Sequence, residues 1–187
     1  MIAAAHKKSP TAITIRACGE SDMGAITEIY AHHVLHGTAS FELEPPSLEE
    51  MMRRHRAIVA DGYVYLVAEA VSGIVGYAYV SAYRSRPAYR FTVENSVYVR
   101  AGHEGRGIGL RLMQALLAEC EKKSFRQMIG VIGDSANHAS IELHRKLGFH
   151  TIGTFRSCGF KFGRWVDSVL MQKELGAGDR TPPAAGT

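Results

Sequence analysis

The chain is poor in cysteine, tryptophan and proline, and it has no long apolar run. Its 187 residues include 3 cysteines, 1 tryptophan and 6 prolines. Cys18, Cys120 and Cys158 stand far apart with no Cys-x-x-Cys. So odd and sparse a set excludes a disulfide framework and a structural zinc site, and it fits a reducing compartment. The most apolar region, Ile58 to Tyr83, is interrupted by Asp61, Glu69, Ser72 and three glycines. No stretch therefore approaches the roughly 18–20 residues that span a bilayer, and no membrane partner is expected. The opening MIAAAHKK places its charge after a five-residue apolar start, the reverse of a secretory signal. A cytoplasmic location is expected. Lys plus Arg number 22 against 18 Asp plus Glu, an excess too small and too evenly spread to mark a nucleic-acid partner. No dense basic stripe interleaved with aromatics is present either.

Hydrophobic residues make up 46% of the chain and charged residues 21%, enough apolar content to offset the entropy of ordering. The length fits one domain, expected over 13–175, with tails at 1–12 and 176–187 that are rich in Ala, Gly, Pro and Thr. Between the tails, strand-like and helix-like segments alternate. Ile13–Ile15 alternates as a short strand. Ser21 is placed to cap a helix with Met23, Ile26, Ile29 and Tyr30 on its apolar face. Ser47-Leu48-Glu49-Glu50 has capping-box spacing and opens a second helix that Asp61-Gly62 closes. Strands follow at Val64–Ala70 and Ile74–Ala82, and FTVENSVYV alternates cleanly, with Phe91, Val93, Val97 and Val99 on one face. A long helix is expected from Ile108 to about Lys123, a strand at Met128–Ile132, and a helix at Asn137–Leu147 stopped by Gly148. Two last strands cover roughly His150–Phe155 and Val166–Lys173. The pattern predicts an α/β fold: one mixed sheet carrying packed helices, with a crossover helix between the strands that flank the glycine-rich loop.

That loop, GHEGRGIG, is the sharpest local feature. Glycines 105, 107 and 109 let the backbone turn tightly. The helix behind adds unpaired N–H groups and the positive end of its dipole, which suits a phosphate or pyrophosphate. No Gly-Lys-Ser/Thr follows, so this is not a P-loop. A dinucleotide fingerprint would need a glycine where Leu112 stands.

Strand, GRGIG, helix, strand and then NHASIELHRKLGF together resemble the core of the GNAT superfamily of acetyl-CoA-dependent N-acetyltransferases. The segments RSRPAYRFTVENSVYV, VIGDSANHASIELHRKLGF and GRWVDSVLMQKEL are more closely similar to its phosphinothricin and methionine-sulfoximine N-acetyltransferase branch. The resemblance runs from about Ile13 to Leu175. It implies a central twisted, mostly antiparallel sheet with helices on both faces, acetyl-CoA as co-substrate, no metal and, commonly, a homodimer. The coenzyme pyrophosphate would lie on Gly105, Arg106, Gly107, Ile108, Gly109 and Leu110. Backbone groups of Val97, Tyr98 and Val99 would pair with the pantetheine arm, and Asn137 would touch it. His144 takes the slot where many relatives carry a tyrosine near the thioester sulfur. Glu104 departs from the usual Arg or Gln, and it is expected to face solvent because a carboxylate repels a pyrophosphate.

The demands of acetyl transfer select further residues. An amine attacks a thioester only as the neutral base, so a general base should face the reaction centre. Glu94, a carboxylate in mid-strand beside Thr92 and Ser96, is the candidate. His144 would supply the departing thiolate with a proton or a hydrogen bond. A backbone N–H of the same strand region would face the developing oxyanion. Arg84 and Arg86 suit forked recognition of a carboxylate or phosphinate, and the resemblance adds Ser85, Tyr89, Phe41 and Glu94 itself to the acceptor contacts. The expected acceptor is the α-amino group of a small amino-acid-like molecule. Another amine acceptor (a protein amino terminus or a polyamine) and a non-catalytic acetyl-CoA-binding module are the alternatives.

Overall fold

The alternating segments of the sequence become strands and the 3.6-periodic ones helices. A computed structural model describes residues 13–183; the expected tail at 1–12 and the last four residues lie outside the described part. In chain order the elements are β1 (Thr14–Ala17), α1 (Met23–His36), α2 (Leu48–Ala60), β2 (Tyr65–Ala70), β3 (Gly73–Ala82), β4 (Thr92–Val99), α3 (Ile108–Lys122), β5 (Gln127–Gly133), α4 (His138–Lys146), β6 (His150–Lys161) and β7 (Arg164–Glu174).

The strands form one seven-stranded sheet in the order β1-β2-β3-β4-β5-β7-β6. Every neighbouring pair is antiparallel except β4 and β5, which run parallel and are joined by α3. This is the expected mixed, mostly antiparallel sheet with its crossover helix. One core packs α3, through Leu112, Met113 and Leu116, on Val75, Val80, Val93 and Met128. On the other side of the sheet, Met23, Ile26, Ile29 and Val34 of α1 pack on Tyr65, Val67 and Tyr77. Gly76 lets α3 come close: a Cβ there would stand 2.9 Å from the Tyr98 carbonyl and 3.2 Å from Ile108 Cγ2.

Ser47 caps α2 as its spacing predicts, its hydroxyl accepting from the Glu50 N–H at 3.2 Å. Ser21 does not cap α1. It sits inside a short 3-10 turn, Glu20–Asp22, while the Asp22 carboxylate accepts from the Gly19 N–H and from Arg16. The last two strands are longer than expected. Phe162 and Gly163, with φ of 53° and 72°, make a two-residue turn of the kind that matches strand twist. An irregularity between Phe155 and Gly159 lets β6 bend on the way. Beyond β7, Arg126 donates to the Gly178 and Pro182 carbonyls, which holds residues 176–183 against the body.

Candidate active site

The parallel seam is where the sheet opens. β4 and β5 pair only from Thr92↔Gln127 to Asn95↔Gly130, although β4 continues to Val99 along β3 and β5 continues to Gly133 along β7. The Arg100 N–H donates to the Val75 carbonyl at 2.9 Å. Antiparallel alternation from that bond turns the even-numbered residues of β4 toward β3 and the odd-numbered ones toward the gap. The N–H and C=O of Val97 are therefore left without a ladder partner. The Val99 carbonyl, expected to serve the pantetheine, is already taken by His33 Nε2 at 2.9 Å. The His33 imidazole is held below the ordinary histidine range by burial.

At the end of β4 the chain turns through Gly102, Gly105 and Gly107, with φ of 78°, 72° and 76°. This is the left-handed region that glycine enters at little cost. Gly107 is the N-cap of α3, and the first intrahelical donor is Arg111, bonded to the Gly107 carbonyl. The N–H groups of Ile108, Gly109 and Leu110 thus lack helix partners. They border a groove of about 770 Å³, also walled by Val97, Val99, Gly105, Gly107 and Asn137. The groove fits an extended ligand with a diphosphate at one end. Arg106 is not among its walls, since its guanidinium turns back to the Gly102 carbonyl at 2.9 Å. Glu104, expected to face solvent only, is exposed and also borders the groove.

A second cavity of about 280 Å³ fills the gap itself. Glu94, Ser96 and Tyr98 reach it from one side and His144 from the other, with Phe41, Val97 and Asn137 also on its walls. Ala39, Val97, Asn137 and Ser140 line both cavities, so groove and gap are continuous. Burial pushes the Glu94 carboxyl above the ordinary carboxylate range, against the opposing pull of the Arg84 charge. A carboxylate so placed accepts a proton more readily than a solvated one.

His144 is 2% exposed. Its Nδ1 lies 2.8 Å from the Ser140 carbonyl and its Nε2 lies 3.0 Å from Asn95 Nδ2. A carbonyl only accepts, so Nδ1 carries the proton and Nε2 accepts from the Asn95 amide. Burial keeps the ring below the ordinary histidine range, hence neutral, while the Ser140 bond works the other way. Gly130 makes room for it: a Cβ there would stand 2.9 Å from His144 Cδ2 and 3.0 Å from Nε2. Asn137, the N-cap of α4, spends its side-chain oxygen on the Ser140 N–H at 3.2 Å.

Phe41 comes from the loop after α1, its ring wedged between Gly133 and Gly159, whose added Cβ atoms would lie 2.9 and 2.5 Å from ring carbons. Arg84, Ser85, Arg86 and Tyr89 border their own open hollow of about 330 Å³. Arg84 lies 5.1 Å over the Tyr83 ring and reaches Glu94 through its field. The structure thus gathers Phe41, Glu94 and His144 into one cavity and sets the arginine loop beside it. Sequence reading missed Asn95, Gly130 and Lys161. Glycines inside strands are the one local sign of a close approach that was available for Gly130. Among the described residues no group of three His, Cys, Asp or Glu side chains is gathered for a metal, and no helix is long and apolar enough to cross a membrane.

A family model described as an acetyltransferase (GNAT) domain matches residues 15–170. Among curated relatives, the phosphinothricin N-acetyltransferase of Alcaligenes faecalis is 51% identical over 172 residues, which is 92% of this chain and 87% of its own. The L-methionine sulfoximine/L-methionine sulfone acetyltransferase of Salmonella typhimurium is 39% identical, across 87% of this chain and 95% of its own. Among solved structures, a phosphinothricin acetyltransferase from Sinorhizobium meliloti in complex with acetyl-CoA matches with a TM-score of 0.91 at 46% identity. The match covers 94% of this chain and 95% of that one. A Salmonella typhimurium structure with its cofactor acetyl-CoA matches at 0.88 and 37% identity, over 93% and 99%.

Proposed function

The chain belongs to the GNAT acetyltransferase family, and from that premise we propose that it acetylates the α-amino group of phosphinothricin, methionine sulfoximine or methionine sulfone. The enzyme is an acetyl-CoA-dependent N-acetyltransferase. One observation carries the reading: a half-buried carboxylate, Glu94, faces a cavity continuous with a groove of unpaired N–H groups.

Acetyl-CoA supplies an acyl group activated as a thioester. The residues present fit it, because the left-handed Gly105 and Gly107 and the start of α3 border the groove and offer donors to a diphosphate. The peptide groups of Val97 offer strand-like pairing to the arm behind it. Glu94 takes the proton from the acceptor ammonium, directly or through a water. Its raised affinity for protons brings it nearer the working pH, where a base is most effective. Arg84 and Arg86 hold the acceptor carboxylate and its second tetrahedral oxyacid or sulfur group. His144 has Nδ1–H given to Ser140 and Nε2 engaged by Asn95. It has no proton to pass to a thiolate in this state, so contact and shape are assigned to it rather than acid catalysis. Transfer is direct, in a ternary complex: the amine nitrogen bonds to the acyl carbon, the C–S bond breaks, and the proton the nitrogen sheds on becoming an amide passes to the departing thiolate.

Three free cysteines support a reducing, cytoplasmic setting. Ile152, Phe155, Phe160, Phe162 and Trp165, all more than half exposed on β6, β7 and their turn, support a homodimer that covers this face. An acceptor screen with purified protein and acetyl-CoA, following thiol release, tests the assignment. Phosphinothricin and the two methionine analogues should turn over and polyamines should not. Thiol release with polyamines alone would refute it.

A further inference from the structure

Lys161, the last residue of β6, is 4% exposed. Its ammonium donates to the Gly37 carbonyl at 2.9 Å and the Ser40 carbonyl at 2.7 Å, with the Phe162 ring 5.0 Å away. No ion pair to a carboxylate is found for it among the described residues. Burying an ammonium is costly unless its donors are used, and here the partners are backbone carbonyls of a single loop. Loop stability alone does not call for a charge, since carbonyls near a surface are readily satisfied by water.

The loop it grips borders both cavities. Gly37, Thr38 and Ala39 wall the donor groove, and Ala39 and Phe41 wall the gap that holds Glu94. Gly37 and Ser40 bracket Thr38 and Ala39, and Ser40 directly precedes Phe41, so fixing the two carbonyls fixes the segment that leads into Phe41. The turn after Lys161 brings Arg164 to Asp134 in an ion pair, and Asp134 walls the donor groove together with Thr38. The β6–β7 hairpin therefore holds the loop through Lys161 and, through Arg164, the Asp134 carboxylate that shares the groove wall with it.

We propose that Lys161 is a positioning residue for the acceptor: by clamping the Gly37 and Ser40 carbonyls it sets Phe41 as a wall of the cavity that Glu94 also lines. The proposal rests on the acetyl-transfer reading of this site. A mis-set wall loosens the acceptor while the phosphate grip at residues 105–110 stays intact, so the effect falls on one substrate.

Lys161→Met keeps the stem and removes the donors; Lys161→Arg restores donors and charge. With phosphinothricin as acceptor, Lys161→Met should raise the acceptor KM tenfold or more. The Kd for acetyl-CoA, by calorimetry, should stay within about threefold. Lys161→Arg should recover at least half of that loss on a logarithmic scale. Hydrogen exchange of residues 38–42 should be at least tenfold faster in Lys161→Met than in the wild type, with or without acceptor. This readout decides the clamp even if the wild type turns over no acceptor, which would overturn the functional reading alone. An unchanged acceptor KM, an equal rise in acceptor KM and acetyl-CoA Kd, or unchanged exchange in the loop would overturn the proposal. If Lys161→Met does not fold, Lys161→Gln takes its place under the same criteria.

Discussion

Gly130→Ala is a one-methyl test of how His144 is seated. The added carbon would lie 2.9 Å from Cδ2 and 3.0 Å from Nε2 of the imidazole, and 3.4 Å from Asn95 Oδ1. Ordinary carbon contacts begin near 3.5 Å, so the ring has to retreat by about half an ångström. Retreat is obstructed: Phe149 stands edge-on at 4.9 Å between centroids, and the Ser140 carbonyl and Asn95 amide hold the two nitrogens. Overpacking of this kind costs about 1–3 kcal/mol. At about 2–4 °C per kcal/mol for a chain of this length, Tm should fall by roughly 2–12 °C. The displaced ring reshapes the reaction cavity, so kcat/KM for the acceptor should drop about tenfold or more. The assay is a double-mutant cycle of melting curves and steady-state rates with Gly130→Ala, His144→Ala and both. If the clash with the ring is the cause, the methyl should be close to harmless once His144 is alanine, giving a coupling of about 1–3 kcal/mol. The same loss in both backgrounds, or none in either, would refute the reasoning.

Glu94→Gln should cut turnover at pH 7.5 by about a hundredfold or more, the usual worth of a general base, while calorimetry still shows acetyl-CoA binding. Because burial raises the Glu94 proton affinity in the folded state, its favourable contribution is present below the ordinary carboxylate range and is lost as pH rises through the folded value. The variant should therefore melt higher than wild type at pH 8, with the difference vanishing near pH 4; a lower Tm at pH 8 would contradict the assignment. Replacing Arg84 and Arg86 by Ala should raise the acceptor KM at least tenfold, since hydrogen bonds to charged groups contribute about 1.5–3 kcal/mol. It should also move the acid limb of kcat/KM upward, because the Arg84 charge no longer holds the Glu94 carboxyl down. Equal effects on acceptor and acetyl-CoA would exclude that role. Sedimentation should give twice the chain mass for the wild type and a shift toward monomer for Phe160→Ser with Trp165→Ser; a monomeric wild type would remove the dimer.

The parts legible from sequence are those in which one segment carries the whole signal. Ser47 caps α2 and Gly148 stops α4 at φ 85° because local backbone geometry decides both. The run from β4 through the glycines into α3 is a local pattern of the same sort, and Glu94 stands out as the one charge within the strand. Ser21 was misplaced because Asp22, one residue on, competes for the same start and has Arg16 to steady it. Strands β6 and β7 ended too early in the reading because Phe162-Gly163 is a hairpin turn without the usual Asn or Asp. Asn95, Gly130 and Lys161 were invisible for a different reason. Each is explained only by a residue 49, 14 or more than 100 positions away in the chain, His144 for the first two and Gly37 and Ser40 for the third.

The gap itself follows from how unevenly the two sides of the seam are bound. β4 has seven paired positions with β3 and β5 seven with β7, but β4 and β5 share only four. Each half of the sheet is satisfied along its length, so the seam can part beyond Asn95 without breaking either half. Parting leaves the Val97 peptide groups to a ligand, and it lets side chains from both faces of the sheet meet: Glu94 from one, His144 from the other. A fully zipped β4–β5 ladder would be the more stable sheet, since buried peptide groups left unpaired cost free energy. His144 lies over Gly130 and bonds Asn95, the last paired positions of the seam, and Phe41, packed on Gly133 and Gly159, follows the loop that Lys161 grips.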